Sequence, residues 1–169
     1  GPVMSDEVMY INNGLMNVKD TFILNRYTHI YFQKLFMALA SDPFSGVKAY
    51  WGFLVAGSAA MVYVISRLAT RSSSILHAGL SVLLYLSIPL IASYSGNTAV
   101  DITAGFFLAL TALVYMLHLR HPSKVLLVLL GLSFFLAIRS KETTLAGVVL
   151  FAGFLFGEGG KLDLRLFLR

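Results

Sequence analysis

The sequence contains no cysteine, and only 12% of its 169 residues are charged. Without cysteine the chain has neither a disulfide framework nor a thiolate metal site. Soluble domains carry about 25% charged and about 45–50% apolar residues, whereas this chain is 57% hydrophobic. The shortage of charge therefore argues against a soluble globular domain and against a disordered segment.

Acidic residues are also scarce: 13 Lys and Arg stand against 8 Asp and Glu, a formal charge of +5. The cations are scattered beside long apolar runs, which is typical of membrane-surface loops and not of a phosphate-tracking patch. No P-loop, GxSxG, HExxH or dinucleotide motif is present. His77, His118 and His121 have no carboxylate at ligand spacing, so we expect neither a functional role nor a zinc site for them. The composition predicts an integral membrane protein with no nucleic-acid partner.

Charge-free stretches locate the membrane spans, because about 20 apolar helical residues cross a bilayer. The five predicted spans are Ala49–Ser66, Ile75–Ala92, Ile102–Leu119, Val125–Ile138 and Thr143–Gly157. The last two measure roughly 20 Å each and can cross if flanking cations snorkel or the bilayer thins. A re-entrant hairpin that buries residues 139–142 at mid-depth is the alternative, at a cost of several kcal/mol for the charges. We predict two short crossings, hence a five-span bundle over residues 47–157 and a tail over 158–169.

Residues 1–46 form a polar segment that differs from the rest of the chain. Within it, apolar residues recur at near-helical spacing, while Gln33 and Lys34 fall on another side. These apolar residues are Ile30, Phe32, Leu35, Phe36 and Leu39. The pattern predicts an amphipathic helix in the membrane interface, ended by the Pro and Gly of residues 42–46. The predicted fold is thus all-α, a polytopic transmembrane helix bundle with an interfacial helix in its first outer loop.

Short loops indicate the orientation of the chain in the membrane. Arg67, Arg71, Arg120 and Lys124 fall in turns on one side of the membrane, together with the tail. The positive-inside rule makes this the inner side. Residues 1–46, 93–100 and 139–142 are then outside or in the lumen.

Two acidic features of the outer side need an explanation. Asp6 and Glu7 form either part of a solvated loop or a general base at the membrane surface, which would take a proton from an acceptor hydroxyl. Asp101 begins a span, where a carboxylate interacts well with the positive helix end. Asp101 alternatively binds substrate.

Cations and an aromatic cluster complete the candidate residues. Arg139 and Lys141 are either interface anchors or ligands of an anionic lipid phosphate, with Glu142 paired to one of them. His29 lies among aromatic residues at the start of the predicted interfacial helix. It is either part of an interfacial anchor or a substrate-binding residue.

The order of these features resembles the GT-C glycosyltransferases that use polyprenyl-phosphate sugars, in particular the protein O-mannosyltransferase and aminoarabinose transferase groups (glycosyltransferase family 39-like). The motifs that carry the resemblance are Ser5-Asp6-Glu7-Val8-Met9-Tyr10, Asp101 at the start of a span, and Ser140-Lys141-Glu142 in a later outer turn. The resemblance implies that Asp6 is the catalytic base, with Glu7 beside it. Asp101 and the Ser140-Lys141-Glu142 turn match further motifs of that family. Together with Arg139 and His29 they are the predicted substrate-binding residues.

The resemblance further implies a sugar donor carried on a polyprenyl phosphate and an acceptor that is a protein or a glycolipid. It places the enzyme in the plasma membrane of a prokaryote or in the endoplasmic reticulum of a eukaryote, with the site facing outside or into the lumen. No cofactor is implied, and the need for a divalent metal stays open. Because such enzymes have a span before the acidic loop and more spans at the end, we expect this chain to be incomplete at both ends.

Two other function classes stay open on the sequence. A transporter would place ionisable residues near mid-membrane, whereas the charges here lie at the ends of the spans. A non-catalytic scaffold would pack small-residue faces such as Ala56–Ala60 against partner helices.

Overall fold

A computed structural model describes residues 27–70, 74–88 and 100–141 of the chain. All regular secondary structure in these ranges is helical. The helices are α1 (Tyr27–Leu39), α2 (Pro43–Thr70), α3 (Ile75–Leu86), α4 (Val100–Arg120) and α5 (Lys124–Ser140). The prediction of an all-α fold is confirmed.

The starts of α2 and α5 follow from local capping. Asp42 accepts a hydrogen bond from the backbone N–H of Ser45 at 3.0 Å, and Pro43 occupies the first helical position, where its missing N–H costs nothing. The hydroxyl and the backbone N–H of Ser45 both lower the pKa of Asp42, because they stabilise the charged carboxylate. At α5, the hydroxyl of Ser123 accepts from the backbone N–H of Val125 at 3.2 Å.

Among the described residues, two helices are long and apolar enough to cross a membrane: Pro43–Thr70 and Asp101–Arg120 within α4. They contain the predicted spans Ala49–Ser66 and Ile102–Leu119. The second predicted span begins at Ile75 as α3 does, but α3 ends at Leu86 after 12 residues. The fifth predicted span, 143–157, and the tail lie outside the described residues.

Helix α5 runs antiparallel to α4 along its whole length. The start of α5 lies beside the last turn of α4, where the backbone N–H of Ser123 donates to Nδ1 of His118 at 3.3 Å. Midway, the hydroxyl of Thr111 donates to that of Ser133 at 3.1 Å. Lys141, directly after α5, contacts Asp101 in the first turn of α4. Arg139 and Lys141 therefore lie level with the first turn of α4. The choice between two short crossings and a re-entrant hairpin stays a prediction, because residues 143–157 lie outside the described residues.

Helix α1 forms where predicted, and Leu35 and Leu39 on its apolar side are more than half exposed, as a side that faces lipid requires. Gln33, expected on another, polar side, is instead fully buried, and so is His29. For His29 the physical reason is its hydrogen bond to Thr103 inside the bundle.

The core lies where α2, α4 and α5 meet. Its buried members are Tyr50, Leu54, Met61, Ile102, Phe106, Phe107 and Ala137. Aromatic rings join α1 to this core, with the centroids of Phe32 and Phe107 5.3 Å apart. Large apolar side chains on α3 and α5, among them Leu84 and Val128, are about 70% exposed, as expected for lipid-facing surfaces.

The two ends of the bundle differ in charge. We call the end that carries Tyr27, Asp101 and Lys141 the polar end. The opposite end carries Arg67, Arg120 and Lys124, and we call it the basic end. Arg120 donates a hydrogen bond to the backbone carbonyl of Leu68, so Arg67 and Arg120 lie at the same end of the bundle. The assignment of the basic end to the inner side of the membrane stays a prediction.

The close approach of α1 and α2 depends on Gly46. A Cβ atom there would lie 2.5 Å from Cα of Met37, a contact with backbone that no side-chain movement relieves. We expect Gly46→Ala to lower stability by about 1–3 kcal/mol through overpacking, measured as the thermal midpoint of the purified protein in detergent. Gly52→Ala in the same helix is the matched control, since nothing lies within 4 Å of its Cβ. Equal midpoints for the two variants would contradict this packing of α1.

Candidate active site at the polar end

Four of the seven predicted site residues are described, and all four lie at the polar end: His29, Asp101, Arg139 and Lys141. They come from α1, from the first turn of α4 and from the end of α5, and are up to 112 positions apart in sequence. Asp6, Glu7 and Glu142 lie outside the described residues.

An ion pair joins Asp101 to Lys141. Oδ1 of Asp101 contacts Nζ of Lys141, and the two side chains are 47% and 25% exposed. A pair this exposed adds about 0–1 kcal/mol to stability, so its main consequence is positional. It fixes an ammonium group and a carboxylate side by side at the N-terminal end of α4, where the positive end of the helix dipole also favours the carboxylate. The described partner of Lys141 is thus Asp101, from another helix.

Arg139 packs its guanidinium over the ring of Tyr27, with 4.8 Å between Cζ and the ring centroid. Tyr27 in turn stacks on Tyr31 at 6.0 Å. A cation–π contact of this kind contributes about 0.5–2 kcal/mol and ties the end of α5 to the start of α1. Since stacking uses the face of the guanidinium, its N–H donors point outward in the plane, where they suit an oxyanion.

A buried polar triad lies on another side of the same turn of α4. Oγ1 of Thr103 lies 2.8 Å from Nδ1 of His29 and 2.8 Å from the hydroxyl of Tyr50. All three side chains are at most 1% exposed. Proton direction depends on the histidine tautomer: Tyr50 donates to Thr103, which donates to His29, or each bond runs the other way. The triad connects α1, α2 and α4 at one point.

Sequence reasoning identified His29 but missed Thr103 and Tyr50. The available signal was weak: both are polar side chains inside or beside predicted spans, and polar groups at membrane depth are functional candidates. Their partnership with His29, 74 and 21 positions away, depends on how the helices are arranged.

Gln33 lies one helical turn after His29 on the same buried face of α1. Its side chain is fully buried, and within the described ranges its amide nitrogen and oxygen have no hydrogen-bond partner. The flanking residues His29 and Phe36 both contact the ring of Tyr50, with centroid distances of 5.7 and 5.4 Å. Gln33 therefore adds a second buried polar side chain next to the triad, one helical turn further along α1.

The arrangement combines two cations and a carboxylate at a partly exposed surface with neutral hydrogen-bonding groups that are buried. Cations in this position can hold an anionic headgroup, and the buried groups keep the supporting helices in register. In the ranges that the structure describes, no three His, Cys, Asp or Glu residues cluster as metal ligands would. His118 is buried and accepts the hydrogen bond from Ser123, which is a structural role.

Comparison with known proteins identifies a family match over residues 27–167. The family is described as dolichyl-phosphate-mannose-protein mannosyltransferase. No curated protein and no solved structure matches the chain significantly. Asp6 and Glu7 precede the matched segment, whereas His29, Asp101, Arg139, Lys141 and Glu142 fall within it.

Membership of this family agrees with the apolar helical bundle and with the resemblance drawn from the sequence motifs. The family consists of integral membrane glycosyltransferases, and it implies in general a lipid-linked sugar donor and a protein acceptor. Because the match covers most of the chain, the protein belongs to the dolichyl-phosphate-mannose-protein mannosyltransferase family of GT-C type glycosyltransferases.

Proposed function

We propose that the protein transfers a sugar from a polyprenyl-phosphate donor to an acceptor hydroxyl or similar nucleophile, at the outer or luminal membrane surface where the polar end lies. The observation that carries this proposal is the convergence of Asp101, Arg139 and Lys141 at one end of the bundle. A donor with an isoprenoid tail stays in the bilayer and presents its phosphate at the surface. Arg139 and Lys141, at the end of α5, can bind that phosphate at the membrane surface.

Arg139 and Lys141 are the proposed phosphate ligands. The guanidinium of Arg139 is held by its face against Tyr27, so its in-plane donors are directed at a ligand. The ammonium of Lys141 pairs with Asp101 and brings a positive charge to the same end of the bundle, where it attracts a phosphate as a point charge. The leaving phosphate gains negative charge in the transition state, and cations that are already oriented stabilise that charge without reorganisation.

The chemical step is a direct displacement at the anomeric carbon. The acceptor oxygen forms a bond to that carbon while the bond to the phosphate oxygen breaks, and the polyprenyl phosphate leaves with the electron pair. The acceptor proton passes to the carboxylate of Asp6, with Glu7 beside it. This role for Asp6 is supported by the Ser5–Tyr10 motif, and general-base catalysis contributes about 10²–10⁴-fold.

Asp101 and His29 have supporting roles in this scheme. Asp101 orients Lys141 and offers its second carboxylate oxygen to a sugar hydroxyl. His29, through Thr103, fixes the first turn of α4 against α1, so the carboxylate two residues earlier keeps its place. Positioning of reactants at this level accounts for much of the rate enhancement of transfer enzymes.

The phosphate assignment is tested by Lys141→Ala and Arg139→Ala, assayed in membranes with a polyprenyl-phosphate sugar. Loss of one charge-assisted contact is worth about 1.5–3 kcal/mol, so kcat/KM for the donor should fall by about 10- to 150-fold. Lys48→Ala is the matched control, because Lys48 is an exposed cation on α2 outside this cluster. Unchanged donor kinetics in both variants would contradict the phosphate assignment and would favour a role for Arg139 and Lys141 as interface anchors.

A charge swap separates the catalytic role of Lys141 from a structural one. Asp101→Lys combined with Lys141→Asp restores an ion pair between α4 and α5 but moves the ammonium to the other helix. We expect the swap to recover the thermal midpoint lost in Asp101→Lys alone while donor use stays impaired. If donor use recovered together with stability, the ion pair would serve only to connect α4 and α5.

The base is tested by Asp6→Asn, which keeps size and hydrogen bonding but cannot accept the proton. Turnover should fall by at least 10²-fold, with expression and donor binding near normal, and Glu7→Gln should cost less. A solvated loop predicts instead a change within about 0.5 kcal/mol in stability and no kinetic effect. Wild-type rates for Asp6→Asn would refute this mechanism.

A further inference from the structure

Three helices bring cations together at the basic end, opposite the candidate active site. Arg67 lies in the last turn of α2, Arg120 ends α4 and Lys124 begins α5. Arg120 reaches the backbone carbonyl of Leu68, the residue after Arg67, and the turn between Arg120 and Lys124 is three residues long. The three cations thus form one surface, and the side chains of Arg120 and Lys124 are exposed.

The described partners of this surface are neutral. Nη1 of Arg67 donates to the hydroxyl of Tyr63 at 3.1 Å, and Arg120 donates to a carbonyl oxygen. In residues 27–70, 74–88 and 100–141 the acidic side chains are Asp42 and Asp101, and both lie toward the polar end. Within the described bundle, the positive charge at this end is therefore uncompensated.

Apolar surface adjoins the cations on the side that faces lipid. Val125 and Val128 on α5 are 66% and 68% exposed, and Leu119 on α4 is 42% exposed. A partner that fits both features has an anionic head and an apolar tail. Basic surfaces between transmembrane helices bind the head groups of anionic lipids in this way.

We propose that the basic end binds an anionic phospholipid, with its phosphate on Arg67, Arg120 and Lys124 and an acyl chain along the apolar surface of α5. The three helix ends supply the charges, so the bound lipid links α2, α4 and α5 at this end of the bundle. This site is separate from the proposed donor site and does not depend on the glycosyl transfer.

The test counts bound lipid on the purified full chain by native mass spectrometry in detergent, with phosphatidylglycerol against phosphatidylcholine. Each cation near the head group contributes about a fivefold gain in affinity. We expect Lys124→Gln and Arg67→Gln each to weaken phosphatidylglycerol binding about fivefold and the double variant about 25-fold. Phosphatidylcholine binding should not change.

Lys48→Gln is the matched control, because it removes an exposed cation from the other half of the bundle and should leave the affinity unchanged. Arg120→Lys keeps the charge and should retain binding even if loss of the Leu68 contact lowers the thermal midpoint. Equal affinity for the two lipids, or equal losses from Lys48→Gln and Lys124→Gln, would overturn the proposal. Displacement of the lipid by millimolar inorganic phosphate would overturn it as well, since the apolar surface would then contribute nothing.

Discussion

The first turn of α4 is the point on which the polar end depends. Asp101 pairs with Lys141 beyond α5, and Thr103, two residues later, bonds His29 of α1 and Tyr50 of α2. Four helices therefore meet within a single helical turn. Without water in the bilayer, a polar group that loses its partner there cannot be rescued by solvent, so the helices must keep these contacts together or lose them together.

This constraint explains why α1 packs with its polar residues inward. In water, a helix with Leu35 and Leu39 would bury them, and its histidine and glutamine would be exposed. Next to lipid the preference inverts, because apolar side chains lose nothing by facing hydrocarbon while His29 gains hydrogen-bond partners inside the bundle. The same inversion leaves large apolar side chains exposed along α3 and α5.

The charges of the described residues divide the bundle into two different surfaces. At the polar end, Lys141 pairs with Asp101 and Arg139 lies over the ring of Tyr27. At the basic end, Arg67 and Arg120 donate to neutral groups. The donor site that we propose uses the first surface, and the phospholipid site that we propose uses the second.

The sequence by itself determined the all-helical membrane fold and the candidate residues at the polar end. Both depend on local composition: charge-free runs, and charges confined to the ends of spans. The start of α2 was not predicted, because the sequence indicated a break over residues 42–46 and a span from Ala49, whereas the helix begins at Pro43 behind the capping Asp42. Which residues meet was decided only by the tertiary structure. Lys141 pairs with Asp101 across 40 positions, and Thr103 joins His29 across 74. Such pairs depend on the antiparallel register of α4 and α5 and on the close approach of α1 at Gly46, and no periodicity in the sequence encodes either distance.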